Sequence, residues 1–252
     1  MIVNGNALNL PIADGAAQMV ITSPPYFNAR DYSQWDTWDE YLADMRRCWD
    51  ECFRILCDGG RIAVVVPQGF GRISTGGYIR IGNRVADGIE AAGFELRGEV
   101  IWQKYSHGMA AAARGYGTAW GSWLSASNPC LRDGHELIII GHKGSPSRSP
   151  RGSDTIDHDT FLLATASIWQ IGPASGRAVS WHPAPFPEEI PRRLIELYTY
   201  AEDLVVDPFS GSGTTERVAR ALGRRGIGVE LNFAWAKRST VRLAQPVLMA
   251  RA

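Results

Sequence analysis

The sequence predicts an α/β domain built on a mostly parallel sheet. Short apolar runs alternate with helical, amphipathic stretches. A strand, a glycine-rich turn and a helix follow one another near the C-terminus. Across 252 residues, 45% are apolar, enough for one large domain with a packed core.

Expected strands, in order, are Ile2–Val3, Met19–Thr22, Arg61–Val66, Val100–Trp102, Leu137–Gly141, Leu204–Val206 and Gly226–Glu230. The clearest helix should run from Trp38 to Leu56. Thr37 and Glu40 form a capping box at its start. Trp38, Leu42, Met45, Trp49, Cys52, Phe53 and Leu56 recur at three- to four-residue steps as one apolar face. Asp58-Gly59-Gly60 is expected to end it. Further helices are expected over Glu189–Tyr198 and Thr215–Leu222, the second stopping at Gly223. Lys143–Thr160 is polar, with Ile156 its one large aliphatic residue. It is either a solvated loop or a segment that orders against nucleic acid.

Formal net charge is +0, from 26 basic and 26 acidic residues, so any nucleic-acid site must be a local feature. No stretch approaches the roughly 18 apolar residues of a membrane span, and Met1–Asn9 lacks the pattern of a secretory leader. The four cysteines, Cys48, Cys52, Cys57 and Cys130, contain no C-x-x-C pair and read as free thiols rather than a metal site. A cytoplasmic protein without a metal is expected.

The glycine turn reads Asp207-Pro208-Phe209-Ser210-Gly211-Ser212-Gly213-Thr214-Thr215. Glycine lets a ligand approach the backbone because no Cβ intervenes. A phosphate loop would need lysine after the last glycine, and Thr214 stands there. Asp207 would repel phosphate but suits an ammonium group, which favours a cofactor carrying an amino acid over ATP or NAD. Glu230, 23 residues after Asp207, ends the next strand and can accept hydrogen bonds from ribose hydroxyls.

Met19–Thr22 leads into Ser23-Pro24-Pro25-Tyr26. The prolines fix φ and remove two donors, leaving a rigid turn that presents carbonyls. It can be a plain turn. It also suits methylation of an exocyclic amine, whose lone pair is delocalised into its ring. Acceptors aimed at both N–H groups, here Ser23 Oγ and the Pro24 carbonyl, favour tetrahedral nitrogen and stabilise the charge that develops. Tyr26 can stack on a base taken out of its duplex. No G-x-S-x-G context makes Ser23 an acyl nucleophile.

With these motifs in place, the sequence resembles the amino-directed DNA methyltransferases. Thr22–Tyr26 resembles their catalytic motif and Asp207–Thr215 their S-adenosylmethionine motif. His182-Pro183-Ala184-Pro185-Phe186-Pro187 resembles the cofactor-flanking motif. Ile101-Trp102-x-Lys104, and Gly134-His135-Glu136 with Lys143 beyond, resemble intervening segments. The catalytic motif precedes the cofactor motif, as in the family's β-type permuted order. The resemblance implies a class I methyltransferase fold, circularly permuted: a seven-stranded, largely parallel sheet with helices on both faces and Ile2–Val3 beside the strand that ends at Glu230. It implies cofactor contacts at Asp207, Phe209, Ser210, Gly211, Gly213, Thr214 and Glu230, with Phe186 and Pro187 flanking. Asn6 stands where the family often has Asp, so its contact would lack charge.

Ser-Pro-Pro-Tyr resembles the cytosine-N4 members, with adenine-N6 as the alternative. A silent S-adenosylmethionine- or DNA-binding module is the non-enzyme alternative, and RNA or a protein glutamine the other substrate classes. The implied division is a catalytic half over 1–142, a target-recognition insert over 143–180 and a cofactor half over 181–252. The implied partners are duplex DNA with a flipped base and a cognate restriction endonuclease. From Ile101 to Gly152 six basic side chains face two acidic ones, a local balance of +4, with Tyr105, Tyr116, Trp120 and Trp123 interspersed. Lys104, Arg114, Lys143, Arg148 and Arg151 are the candidate DNA contacts.

Overall fold

A computed structural model of the chain describes residues 1–27, 33–72, 77–104, 122–129, 134–174 and 181–245. Eight strands form the main sheet: β1 (Ile2–Asn4), β2 (Ala17–Thr22), β3 (Leu56–Pro67), β6 (Glu95–Gln103), β7 (His135–His142), β8 (Ile168–Gln170), β9 (Leu204–Asp207) and β10 (Arg225–Glu230). Their order is β1-β10-β9-β2-β3-β7-β6-β8. Only β7 runs against the rest, pairing antiparallel with β3 and β6. A separate hairpin joins β4 (Phe70–Arg72) to β5 (Gly77–Ile79). Among the described residues the sheet has eight strands, one more than the seven expected. The extra strand is β8, a three-residue edge strand parallel to β6, too short to leave a periodic signal.

The predicted permutation is present. Ile2, Val3 and Asn4 pair in parallel with Gly228, Val229 and Glu230, so the first strand of the chain extends the sheet beside its last.

The helices are α1 (Trp38–Ile55), α2 (Ile81–Ala91), α3 (His158–Ala164), α4 (Glu189–Tyr198), α5 (Thr214–Ala221) and α6 (Phe233–Ala244). Central strands are covered on both faces, which is why Ile62–Val66 of β3 reads as an unbroken apolar run. Ile62, Val64 and Val66 join one core with Tyr41, Trp49 and Ile89 from α1 and α2. Ala63 and Val65 point the other way, into a core with Ile190 and Leu194 of α4 and Val218 of α5.

Thr37 closes α1 with both arms of the capping box. The innermost residues of α1 are Tyr41, Met45, Cys48, Trp49, Cys52 and Ile55, a stripe centred slightly off the expected one, with Trp38 and Leu42 at its margin. Its end is also different. The helix passes straight into β3 at Leu56, and Asp58-Gly59-Gly60 lies within the strand. Lys143 reaches this junction: its ammonium donates to the carbonyls of Phe53 and Leu56, each at 2.8 Å, and sits over the Phe53 ring. A cation there satisfies carbonyls that a helix C-terminus leaves orphaned. Cys48 and Cys52 are buried free thiols on this helix, and Cys130 lies outside the described residues.

Candidate active site at the strand C-termini

The C-terminal ends of β2, β9 and β10 meet at one cavity of about 620 Å³. Its walls hold Ser23, Pro24, Pro25 and Tyr26 on one side and Phe209, Ser210, Gly211, Ser212 and Thr214 on another. These segments are nearly two hundred residues apart in the chain. They meet because β2 pairs directly with β9, with Met19 opposite Val205 and Val20 opposite Val206.

Beneath the walls, Asp207 ties the two segments together. Thr22 Oγ1 donates to its Oδ1 at 2.7 Å and Thr215 Oγ1 to its Oδ2 at 2.8 Å. The Phe209 N–H also donates to Oδ1, at 3.0 Å. Asp207 is 1% exposed and does not line the cavity. The sequence expectation turned this carboxylate toward an ammonium group; here both of its oxygens are engaged by Thr22, Thr215 and the Phe209 N–H. Burial raises its pKa to about 6 against these hydrogen bonds. A raised carboxyl pKa means that the folded state holds the proton more tightly than the unfolded one. That contribution is complete below the unfolded value, near 4, and is lost as pH rises through about 6. Relative to Asp207→Asn, the wild type should therefore lose unfolding free energy between these pH values. Denaturant titrations of both proteins check this, and a pH-independent difference between them would refute it.

The glycine turn is held from several sides. Glu230 Oε2 accepts from the Gly211 N–H at 2.9 Å, and Oε1 accepts from the Asn232 N–H at 2.7 Å. The Glu230 carboxyl is pushed up by burial. Each of its oxygens has a second lone pair, and Glu230 lines the cavity, so acceptor capacity remains for a ligand. Gly211 has φ +50°, and a Cβ there would lie 2.6 Å from His182 Nε2. Gly213, at φ +76°, is the N-cap of α5 and shapes the turn without lining the cavity. Phe186 lines the cavity, whereas Pro187 lends its carbonyl to the Ile190 N–H at the start of α4. Asn6 also lines it, while its Oδ1 accepts from the Leu8 N–H at 3.0 Å.

Sequence reasoning missed four contributors. Trp235 and His182 line the cavity with ring centroids 4.8 Å apart, and burial beside Arg242 lowers the His182 pKa to about 4, leaving a neutral imidazole. Arg242 of α6 donates to the Ser212 carbonyl at 2.8 Å and to Thr214 Oγ1 at 3.1 Å, clamping the turn. Glu136 lines the cavity beside Tyr26 and pairs with Lys104. Motif position flagged His182 and Glu136 but gave neither a contact. Nothing local in sequence links Trp235 or Arg242 to the turn.

The candidate DNA contacts divide sharply. Lys104 is inside the cavity wall, above the Trp102 ring at 4.8 Å. Lys143 and Arg148 stand away from the cavity. Lys143 follows β7 at the end of the sheet remote from the cavity, where His142 pairs with Arg61 of β3. Arg148 pairs with Asp203, just before β9, and lies over Tyr200. Arg151 is exposed on the same stretch, whose Ser153 carbonyl accepts from Ala201. Residues 143–180, expected as an insert, contain β8 of the main sheet and α3, which packs on α4. Arg114, Tyr105, Tyr116 and Trp120 lie outside the described residues. Lys143→Met should cost about 1–3 kcal/mol through its orphaned carbonyls and leave DNA affinity unchanged. Denaturation and a DNA titration check both, and weakened DNA binding would restore the original expectation.

A family model for DNA methylases matches residues 17–238. The type II beta methyltransferase M.BslI of Bacillus sp. (strain NEB-606) is 30% identical over 241 residues, covering 88% of this chain, which spans 25% of that relative's length. The type II methyltransferase M.MjaI of Methanocaldococcus jannaschii is 25% identical over 272 residues, covering 92% of this chain and 86% of the relative. Among solved structures, TTHA0409 of Thermus thermophilus superposes with a TM-score of 0.75 at 25% identity, covering 96% of this chain and 93% of that one.

Proposed function

The chain belongs to the DNA methylase family matched over residues 17–238, and from that premise we propose that it transfers the methyl group of S-adenosyl-L-methionine to the exocyclic N4 of cytosine in duplex DNA. The observation that carries this reading is the shared cavity, which has the Ser-Pro-Pro-Tyr turn on one wall and the glycine turn on the other. Its volume falls in the range of small-molecule sites, about 300–1,000 Å³. The base enters by flipping out of the duplex, since its amino group is inaccessible within the stack.

The residues present fit the cofactor. Glu230 offers a carboxylate to the ribose hydroxyls. Gly211 leaves its backbone open to the ligand, and Phe186 and Phe209 supply apolar contact. S-adenosyl-L-methionine supplies a methyl group made electrophilic by its positively charged sulfur. On the base side, Ser23 Oγ and the Pro24 carbonyl accept the two amino hydrogens, returning the nitrogen lone pair toward tetrahedral geometry. Serine in place of aspartate at position 23 supports cytosine over adenine.

DNA contacts are assigned to Lys104, which lines the cavity, and to Arg114. Arg114→Ala should weaken DNA binding and reduce the salt dependence by about one ion. Titrations at several salt concentrations check this, and an unchanged slope would count against the assignment. Residues 1–142 form the catalytic half and 181–252 the cofactor half. A cognate restriction endonuclease is the proposed partner in the cell.

The deciding experiment is methylation of mixed-sequence duplex DNA with labelled cofactor, followed by nucleoside mass spectrometry. N4-methylcytosine is expected. N6-methyladenine would overturn the choice of base. No methylated nucleoside, with cofactor binding shown by calorimetry, would replace the reading with an RNA or protein substrate or a silent binding module.

A further inference from the structure

Opposite the glycine turn, four side chains make a continuous polar chain. Ser23 Oγ lies 3.1 Å from Tyr26 Oη. Tyr26 Oη donates to Glu136 Oε2 at 3.4 Å, and Glu136 Oε1 accepts from the Lys104 ammonium. All four line the cavity. The direction of the first link follows from valence. A phenol has one hydrogen, and that of Tyr26 is committed to Glu136. The Ser23 hydroxyl therefore donates to Tyr26, and the lone pairs of Ser23 are left to face the cavity. Burial, with the charge of Glu136, raises the Tyr26 pKa well above its ordinary value, so the phenol keeps its proton.

The chemistry needs such a chain. In a Ser-Pro-Pro-Tyr turn the acceptors facing the amine are neutral, yet methyl transfer leaves a positive charge and one proton too many on nitrogen. An anion must stabilise the charge and a base must take the proton. Glu136 lies within two hydrogen bonds of Ser23. Its partner Lys104 is the one cationic side chain among the described residues lining the cavity.

We propose that Glu136 is the anionic terminus of a proton relay running Ser23–Tyr26–Glu136, and so supplies the carboxylate that the catalytic turn lacks. The proposal rests on the methyltransferase reading above. As the nitrogen lone pair forms the new N–C bond, the C–S bond breaks and its electron pair stays on sulfur. The amine, now positive, gives a proton to Ser23 Oγ. Ser23 passes its own proton to Tyr26 Oη, and Tyr26 passes its own to Glu136. Every hydroxyl ends neutral, the carboxylate is protonated and the product amine is uncharged. Glu136 acts through Tyr26 and is a positioning residue, while Ser23 touches the substrate. The 3.4 Å link is long for a hydrogen bond, as catalytic hydrogen bonds often are before substrate arrives.

The test is a double-mutant cycle on the full chain, read as kcat, KM for DNA and calorimetric cofactor affinity. Glu136→Gln keeps an acceptor oxygen and removes the charge. It should lower kcat by about 10²-fold, with KM and cofactor affinity within about twofold of wild type. Tyr26→Phe should do the same, and the double variant should lose little more than either single one, because both break the same relay. Glu136→Asp should recover part of the rate. Wild-type kcat in Glu136→Gln, a change confined to KM, or fully additive losses would each overturn the relay. Retained cofactor binding excludes misfolding as the cause. Failure of the wild type to make any methylated nucleoside would instead refute the underlying function, so the two failures are separable.

Discussion

Ser23→Ala lowers methyl transfer by about 10²–10³-fold while cofactor affinity stays at the wild-type value. The magnitude is that of one preorganised acceptor removed from a site where charge develops. The hydroxyl is also the near end of the chain to Tyr26 and Glu136, so alanine both removes the acceptor and disconnects the carboxylate. Cofactor binding is spared because the glycine turn is held by hydrogen bonds from Glu230, Arg242 and Asp207 that do not pass through the Ser23 hydroxyl. Single-turnover rates and calorimetry on the same preparation measure the two quantities. Wild-type turnover would refute the role given to Ser23, and loss of cofactor affinity would mean the two walls are mechanically coupled.

Glu230→Ala weakens cofactor binding by about 30- to 1,000-fold. Two charge-assisted hydrogen bonds to ribose are worth about 2–4 kcal/mol together. The Gly211 and Asn232 N–H groups also lose their acceptor, so the turn itself loosens. Glu230→Gln keeps the shape of the side chain and half of its acceptors, and it should fall between. The variants are titrated calorimetrically with S-adenosyl-L-methionine. Equal affinities in all three proteins would remove Glu230 from the cofactor site.

The comparison of Asp207 with Glu230 shows how much of the site is legible locally. In sequence the two look alike, because each carboxylate ends a strand beside the turn and points to the cofactor. Glu230 lines the cavity and Asp207 lies under it. The difference is made by Thr22 and Thr215, whose hydroxyls claim the Asp207 oxygens from below. Both threonines lie within the two motifs, but nothing in the motifs shows that their hydroxyls meet on Asp207.

The permuted order was implied by the family resemblance, while the sequence by itself determined the α/β class, most strand cores, the capped start of α1 and the two turns. These are properties of short stretches: apolar period, φ restriction by proline and glycine, and hydrogen bonding within four residues. Only the tertiary structure decided which basic residues belong to the cavity. Lys104 and Lys143 look alike in sequence, but antiparallel β7 carries the chain from the cavity end of the sheet to the other end, so one meets Glu136 and the other meets the end of α1. The eighth strand, the Arg242 clamp and the Ser23–Tyr26–Glu136 chain were likewise settled only by folding. Each depends on contacts between residues distant in sequence, which become neighbours through strand pairing and helix packing rather than through any local preference of the chain.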